Sequence, residues 1–204
     1  MSEQKWGNPN ALGDLTIGLL ILAQAFLLFG KVDPLTKIAV VPWLSTGFAI
    51  LLIVVVVQLR NGDFVGATAS GLLGAVLLGH NFVKGIIDLV FLVNGKTPSQ
   101  EIITGGYTVD GMAFLCSGII LLSMGYLLGH ETKWGAFSVW AAALGFLSLA
   151  ATNLGLGPMF GKIGVWGLMI MAVWLIYSGI ANLINGAMQK IVLPLGEPLF
   201  MHRK

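Results

Sequence analysis

The sequence predicts an all-α integral membrane protein, a six-helix bundle forming one transmembrane domain over residues 1–204. Three observations carry that prediction. Hydrophobic residues make up 56% of the chain and charged residues 10%, with a mean hydropathy of +0.89. The charges gather in short intervals that leave six apolar runs, and those runs are apolar on every face. Soluble domains carry about 25% charged residues, so this chain lacks the polar surface to face water all round. A β-barrel would show alternating polarity in segments of about ten residues, which these runs do not.

Crossing about 30 Å of hydrocarbon takes roughly 20 helical residues, and each run meets that length. The first span covers 12–30, charge-free from Thr16 and extending back over Leu12 and Gly13, with Asp14 near the interface. The second covers 38–59. The third starts at Phe64 and continues past Lys84 and Asp88 to Val93. Residues 111–129, 134–153 and 163–185 complete the set, followed by a tail over 186–204. Between them lie Lys31-Val32-Asp33-Pro34, Arg60-Asn61-Gly62-Asp63 and His130-Glu131-Thr132-Lys133, connections short enough to force antiparallel neighbours. Residues 94–110 contain Gly95, Pro98, Gly105 and Gly106 and are expected to form an exposed loop.

An even number of spans puts both termini on one side. That side holds Lys5, Arg60, Lys133, Lys190, Arg203 and Lys204, against Lys31, Lys37, Lys96 and Lys162 on the other, with Lys84 ambiguous. The excess places both termini in the cytoplasm. Six tryptophans, including Trp6, Trp43, Trp134 and Trp166 near span ends, fit interfacial anchoring.

Several function classes are excluded. A net charge of +2 is too small for a nucleic-acid binder. The single cysteine, Cys116, cannot form an intramolecular disulfide. The start lacks a basic region leading into an apolar core and cleavage site, so no cleaved signal is expected. Zinc-protease, dithiol, nucleophile-elbow and phosphate-loop motifs are absent, and His80, His130 and His202 fall in different segments. No catalytic activity, cofactor or metal is therefore expected, and transport is favoured by elimination.

Two clusters in the third span bear on a path. Gly66, Ser70 and Gly74 are spaced by four and share a helix face. Such a stripe serves close helix packing, or leaves gaps beside it for a small solute with Leu73 closing them. His80, Lys84 and Asp88 share a face as well. Either Lys84 and Asp88 pair with each other at the interface, or the three handle protons and anions in a vestibule. Other polar residues at membrane depth are few, including Thr16, Gln24, Asn153 and Tyr177. A path built from them is mostly apolar, which suits a small monocarboxylic acid or amide and excludes hydrated inorganic ions.

Two non-hydrophobic stretches bracket the chain: Asn8-Pro9-Asn10-Ala11-Leu12-Gly13 and Val192-Leu193-Pro194-Leu195-Gly196-Glu197. On them the chain resembles the acetate uptake transporter family, known from yeast acetate permeases and a bacterial succinate–acetate permease. The family's N-terminal Asn-Pro-Ala-Pro-Leu-Gly-Leu signature keeps Asn8, Pro9, Leu12 and Gly13 here, and its Val-Leu-Pro-Ile-Gly tail is matched through Pro194 and Gly196. Gly62, Gly66, Thr68, Gly74, Asn153, Trp166 and Tyr177 also fall where the family has the same residues.

The resemblance implies a fold related to urea and amide channels, with a pore in each protomer, six protomers in a ring, and placement in the cell (inner) membrane. It implies passage of small monocarboxylates such as acetate, and of succinate, passive or proton-coupled, through a hydrophobic constriction. By position the constriction falls on Ile17, Leu73 and Ala142, where the bacterial permease has phenylalanine, tyrosine and leucine. An aromatic-free, wider gate is expected. With Leu12, Thr16, Ser70, Asn153 and Tyr177 these make up the expected pore set. A urea or short-chain amide channel of the same fold is the alternative, on the resemblance of Gly30-Lys31-Val32-Asp33-Pro34 to the corresponding turn of those channels. A structural membrane protein without transport is the third reading.

Overall fold

The computed structural model describes residues 7–28 and 38–200, excepting the side chains of 26–28. The turn at Lys31–Pro34, Trp6 and His202, and the charges at Lys5, Lys37, Arg203 and Lys204, lie outside the described residues. Six helical rods follow one another: α1 (Asn10–Leu28), α2 (Val41–Arg60), α3 (Phe64–Val93), α4 (Gln100–Leu128), α5 (Lys133–Asn153) and α6 (Pro158–Met188). From α2 onward each is long and apolar enough to cross a membrane. Each rod touches the next and α6 returns to α1, so the bundle closes into a ring.

Local chemistry sets where the rods begin and end. Asp63 caps α3, its carboxylate accepting from the Gly66 amide at 2.7 Å. Pro158 opens α6, where its missing N–H costs nothing. The connection between α3 and α4 is only 94–99, and α4 starts at Gln100 rather than near Gly111. The expected loop is mostly helix because Ser99 supplies an N-cap, its hydroxyl accepting from the Ile102 amide, and Glu101 sits in the first turn. Gly105 and Gly106 are tolerated inside a helix of 29 residues.

Within α3, Gly74–Gly79 winds as a π-helix, the His80 amide donating to the Ala75 carbonyl. π-turns widen a helix locally and are frequent at functional sites. Between α5 and α6 the backbones lie in contact: a Cβ on Gly145 would sit 2.9 Å from the Gly164 carbonyl, and one on Gly167 would overlap Ala141 and Gly145. Small residues at such a crossing allow the close approach that packs transmembrane helices.

Both terminal motifs close the same end of the bundle. Asn8 caps α1 by accepting from the Asn10 amide, while Asn10 receives the side-chain amide of buried Gln58 at 2.9 Å and reaches Asp63. Pro9 lends its carbonyl to the Gly13 amide. The segment after α6 folds back. Asn185 holds Val192 and Leu193 with three hydrogen bonds, Tyr177 donates to the Pro194 carbonyl at 2.7 Å, and Thr132 donates to Leu195. Gly196 takes a φ of +93°, which a side chain would strain. Phe200 then stacks on Tyr126 and His130.

Candidate functional site

At the end opposite the described terminal segments the ring opens into a cavity of about 340 Å³. Its floor and sides are apolar, built from Ile21 and Ala25 on α1, Leu44 on α2, Leu77 on α3, Phe114 on α4, and Leu168 on α6. Two polar groups interrupt them. On one wall His80 and Lys84 of α3 meet Asp110 of α4, with Lys84 Nζ 2.9 Å and His80 Nε2 3.3 Å from separate carboxylate oxygens. The Asp110 side chain is 10% exposed and that of Lys84 45%. The ammonium also lies 5.8 Å from the centre of the Tyr107 ring. The second is a group of amides: Asn81 donates to Gln24 Oε1 at 3.0 Å and to the Leu77 carbonyl at 2.7 Å, and Gln24 donates to that carbonyl as well. Asn153 at the end of α5 also lines the cavity, packed near Gly111 of α4.

Position on the helices explains why these groups meet. His80, Asn81, Lys84 and Asp88 all line the cavity from α3, and Tyr107, Asp110 and Phe114 follow at helical spacing on α4. Lys84 takes its acid from α4, 26 residues away, and not from Asp88, which lines the cavity as an exposed residue. A half-exposed cation held by a nearly buried acid is charge-compensated, so the wall presents a dipolar network more than a bare positive charge.

Below the cavity the bundle is sealed. Ile17 and Leu73, each one turn beneath a cavity residue (Ile21 and Leu77), join Ala142 in one buried apolar cluster. Ile17 and Leu73 are 3% exposed and Ala142 is fully buried. All three residues of the expected constriction set thus lie in one buried cluster, which also holds an aromatic ring. Phe146, one turn from Ala142 on α5, is fully buried in the same cluster, and its ring meets that of Phe114 edge-on with centroids 5.6 Å apart.

The remaining expected residues disperse. Ser70 is buried and close to Gly13, where α1 and α3 cross. Thr16 faces Gly47 of α2. Leu12 is half-exposed near the start of α1, away from the cavity. Tyr177 lies nine residues beyond Leu168 on α6, does not line the cavity, and donates to Pro194 in the folded-back tail. Asp14 accepts from the Ser178 hydroxyl at 2.7 Å, joining α1 to α6. Sequence reasoning missed Asp110, which the loop expectation hid, and Phe146, which reads as one more apolar residue in an apolar run.

No family model matches this sequence, and no curated protein does. The fold is similar to that of a solved structure, the bacterial acetate channel SatP. The TM-score is 0.74 at 18% sequence identity, covering 94% of this chain and 100% of that one. So full an overlap at so low an identity is a likeness of architecture, in which helix order and packing persist while side chains have been replaced. Over 94% of its length, this membrane-type helical bundle therefore has the fold of a bacterial acetate channel.

Proposed function

We propose that this chain is a member of the acetate uptake transporter family and forms a membrane channel for small monocarboxylates such as acetate, each protomer carrying its own path. The observation that carries this reading is the full-length overlap with an acetate channel, TM-score 0.74. The cavity supports it, because a polar rim over an apolar, sealed floor fits a solute with one polar head and a short apolar tail.

In this mechanism the acid enters the cavity and exchanges water for the amides of Gln24, Asn81 and Asn153, which offer both donors and acceptors. Lys84, already paired with Asp110, orients the head without trapping it. Crossing the apolar cluster at Ile17, Leu73 and Ala142 then requires giving up those hydrogen bonds. An ionised carboxylate pays far more for that than a neutral acid does, so the protonated acid is the species that crosses. Each solute then carries one proton, which gives acid-dependent uptake with no separate coupling machinery. Succinate has a second carboxyl group to desolvate and crosses more slowly. The reading includes a ring of six protomers in the cell inner membrane with cytoplasmic termini.

A urea or short-chain amide channel is the second reading, favoured by the three cavity amides. Uptake of labelled acetate and labelled urea into proteoliposomes, with and without a pH gradient, separates them. Acetate uptake stimulated by external acid is expected. Urea uptake without acetate uptake favours the second reading, and flux of neither favours a structural role.

A further inference from the structure

Gln24 and Asn81 form a clip whose hydrogen bonds fix which way each amide points. Asn81 donates one N–H to Gln24 Oε1 at 3.0 Å and the other to the Leu77 carbonyl at 2.7 Å, and Gln24 donates to that same carbonyl at 3.3 Å. A carbonyl can only accept, so both amide nitrogens turn toward it and neither amide is free to flip. Leu77 belongs to the π-turn Gly74–Gly79, so the clip ties α1 to the segment of α3 that departs from α-helical winding. What the pair still offers follows from its chemistry. Both N–H groups of Asn81 are engaged and its Oδ1 remains, while Gln24 keeps a second N–H and a second lone pair on Oε1. Both residues are half-buried and line the cavity. Asn81 lies three residues nearer the sealed floor than Lys84, about 4.5 Å along the helix.

We propose that this clipped amide pair is a binding site for the protonated solute, so that protonation state is read in the cavity by Gln24 and Asn81. This rests on the channel reading above. A carboxylate is acceptor-only. At the pair it meets one N–H donor beside two acceptor oxygens, Asn81 Oδ1 and Gln24 Oε1, which repel it. A protonated carboxylic acid matches both halves, its carbonyl accepting from Gln24 Nε2 and its hydroxyl donating to Asn81 Oδ1. A primary amide has the same shape with an N–H in place of the O–H, and fits in the same way. The anion stays at the level of Lys84, where an ammonium faces the cavity, and the neutral acid moves down to the amides. The Leu77 carbonyl is what makes the pair selective. Without that anchor either amide could turn its N–H groups toward an anion, and the preference for the neutral form would be lost.

The test measures how acetamide and methanesulfonate inhibit uptake of labelled acetate into proteoliposomes carrying the wild type, Asn81→Leu or Gln24→Leu. Acetamide is the neutral isostere of the protonated acid, and methanesulfonate is an anion of similar size that stays ionised throughout. With the wild type, acetamide is expected to compete and methanesulfonate to compete only weakly. Asn81→Leu removes the acceptor and is expected to raise the acetamide inhibition constant about five- to tenfold, the worth of one hydrogen bond in a partly dry site, leaving that of methanesulfonate unchanged. Gln24→Leu keeps the bond from Asn81 to Leu77 and is expected to shift the acetamide constant the same way, which decides the matter if Asn81→Leu does not fold. Acetamide that competes no better than methanesulfonate with the wild type, or that weakens no more than methanesulfonate in the folded variants, overturns the site. A wild type that takes up no acetate overturns the channel reading instead. Saturation-transfer NMR of acetamide on the solubilised protein then still tests the pair: binding lost in Asn81→Leu supports it, and binding retained overturns it.

Discussion

At the scale of single residues, the ion pair in the cavity is asymmetric, and its two halves should respond differently to removal. Lys84→Met leaves the Asp110 carboxylate, 10% exposed, without its ammonium and with the His80 imidazole 3.3 Å away, while Asp110→Asn leaves an ammonium that is 45% exposed and can be solvated. A nearly buried carboxylate that loses its ammonium partner costs about 1–3 kcal/mol, whereas loss of an exposed ammonium's partner costs under about 1 kcal/mol. Unfolding in detergent should therefore show Lys84→Met as the more destabilising variant; the reverse order would mean that water reaches Asp110 freely. Asp110→Asn also releases the positive charge of Lys84 into the cavity. It should lower the half-saturating acetate concentration in uptake assays, and an unchanged value would remove Lys84 from solute binding.

At the scale of elements, two contacts decide how the rods are held. The α5–α6 crossing depends on backbone meeting backbone at Gly145, Gly164 and Gly167, so Gly167→Leu forces the rods apart. A loss of several kcal/mol is expected, at the upper end of what overpacking costs, because the obstruction is main chain and cannot rotate away. Circular dichroism melts in detergent measure it, and a melting temperature within a few degrees of wild type would contradict the backbone contact. The start of the folded-back tail is held by Asn185, whose side chain makes three hydrogen bonds to Val192 and Leu193. Asn185→Ala should loosen the segment before Pro194 at a cost of about 1 kcal/mol per bond and expose it to protease, with Tyr177 and Thr132 still holding Pro194 and Leu195. Limited proteolysis would show faster cleavage beyond residue 188, with the bundle left intact.

At the scale of the whole molecule, the helices close into a ring with a cavity at one end and a buried apolar cluster beneath it, and the proposed path runs through both. Acetate uptake should rise as external pH falls toward the carboxylate's own range, because the neutral fraction of the solute grows. A rate that follows the anion concentration instead would reject passage as the protonated acid. The outer surface carries many large apolar residues, among them Trp43, Ile53, Val109 and Trp166. Lipid and neighbouring protomers are the partners proposed for them, and mass measurement of the solubilised complex should give six chains.

What could be read from the sequence follows from how local each signal is. Charge avoidance is a property of consecutive residues, and it marks a membrane bundle before any contact is known. The bracketing motifs were legible for a similar reason: Asn8-Pro9 and Val192–Gly196 are short runs of distinctive residues, although Leu195 is also held by Thr132 from 63 residues away. Glycine and proline frequency pointed to a loop over 94–110, but one capping serine outweighs scattered glycines when a long apolar run follows. Tyr177 matched by position, yet which way a helical side chain faces is decided by the neighbours around it.

By itself the sequence determined the class of protein, the helical rods and the signatures at both ends, since hydropathy, spacing and turn chemistry act over a few residues. The tertiary structure alone decided that Lys84 answers to Asp110, that three amides share one cavity, and that the Phe146 ring meets Phe114 edge-on. Each of these joins helices far apart in the chain, and the free energy of such contacts exists only once the ring of helices has closed.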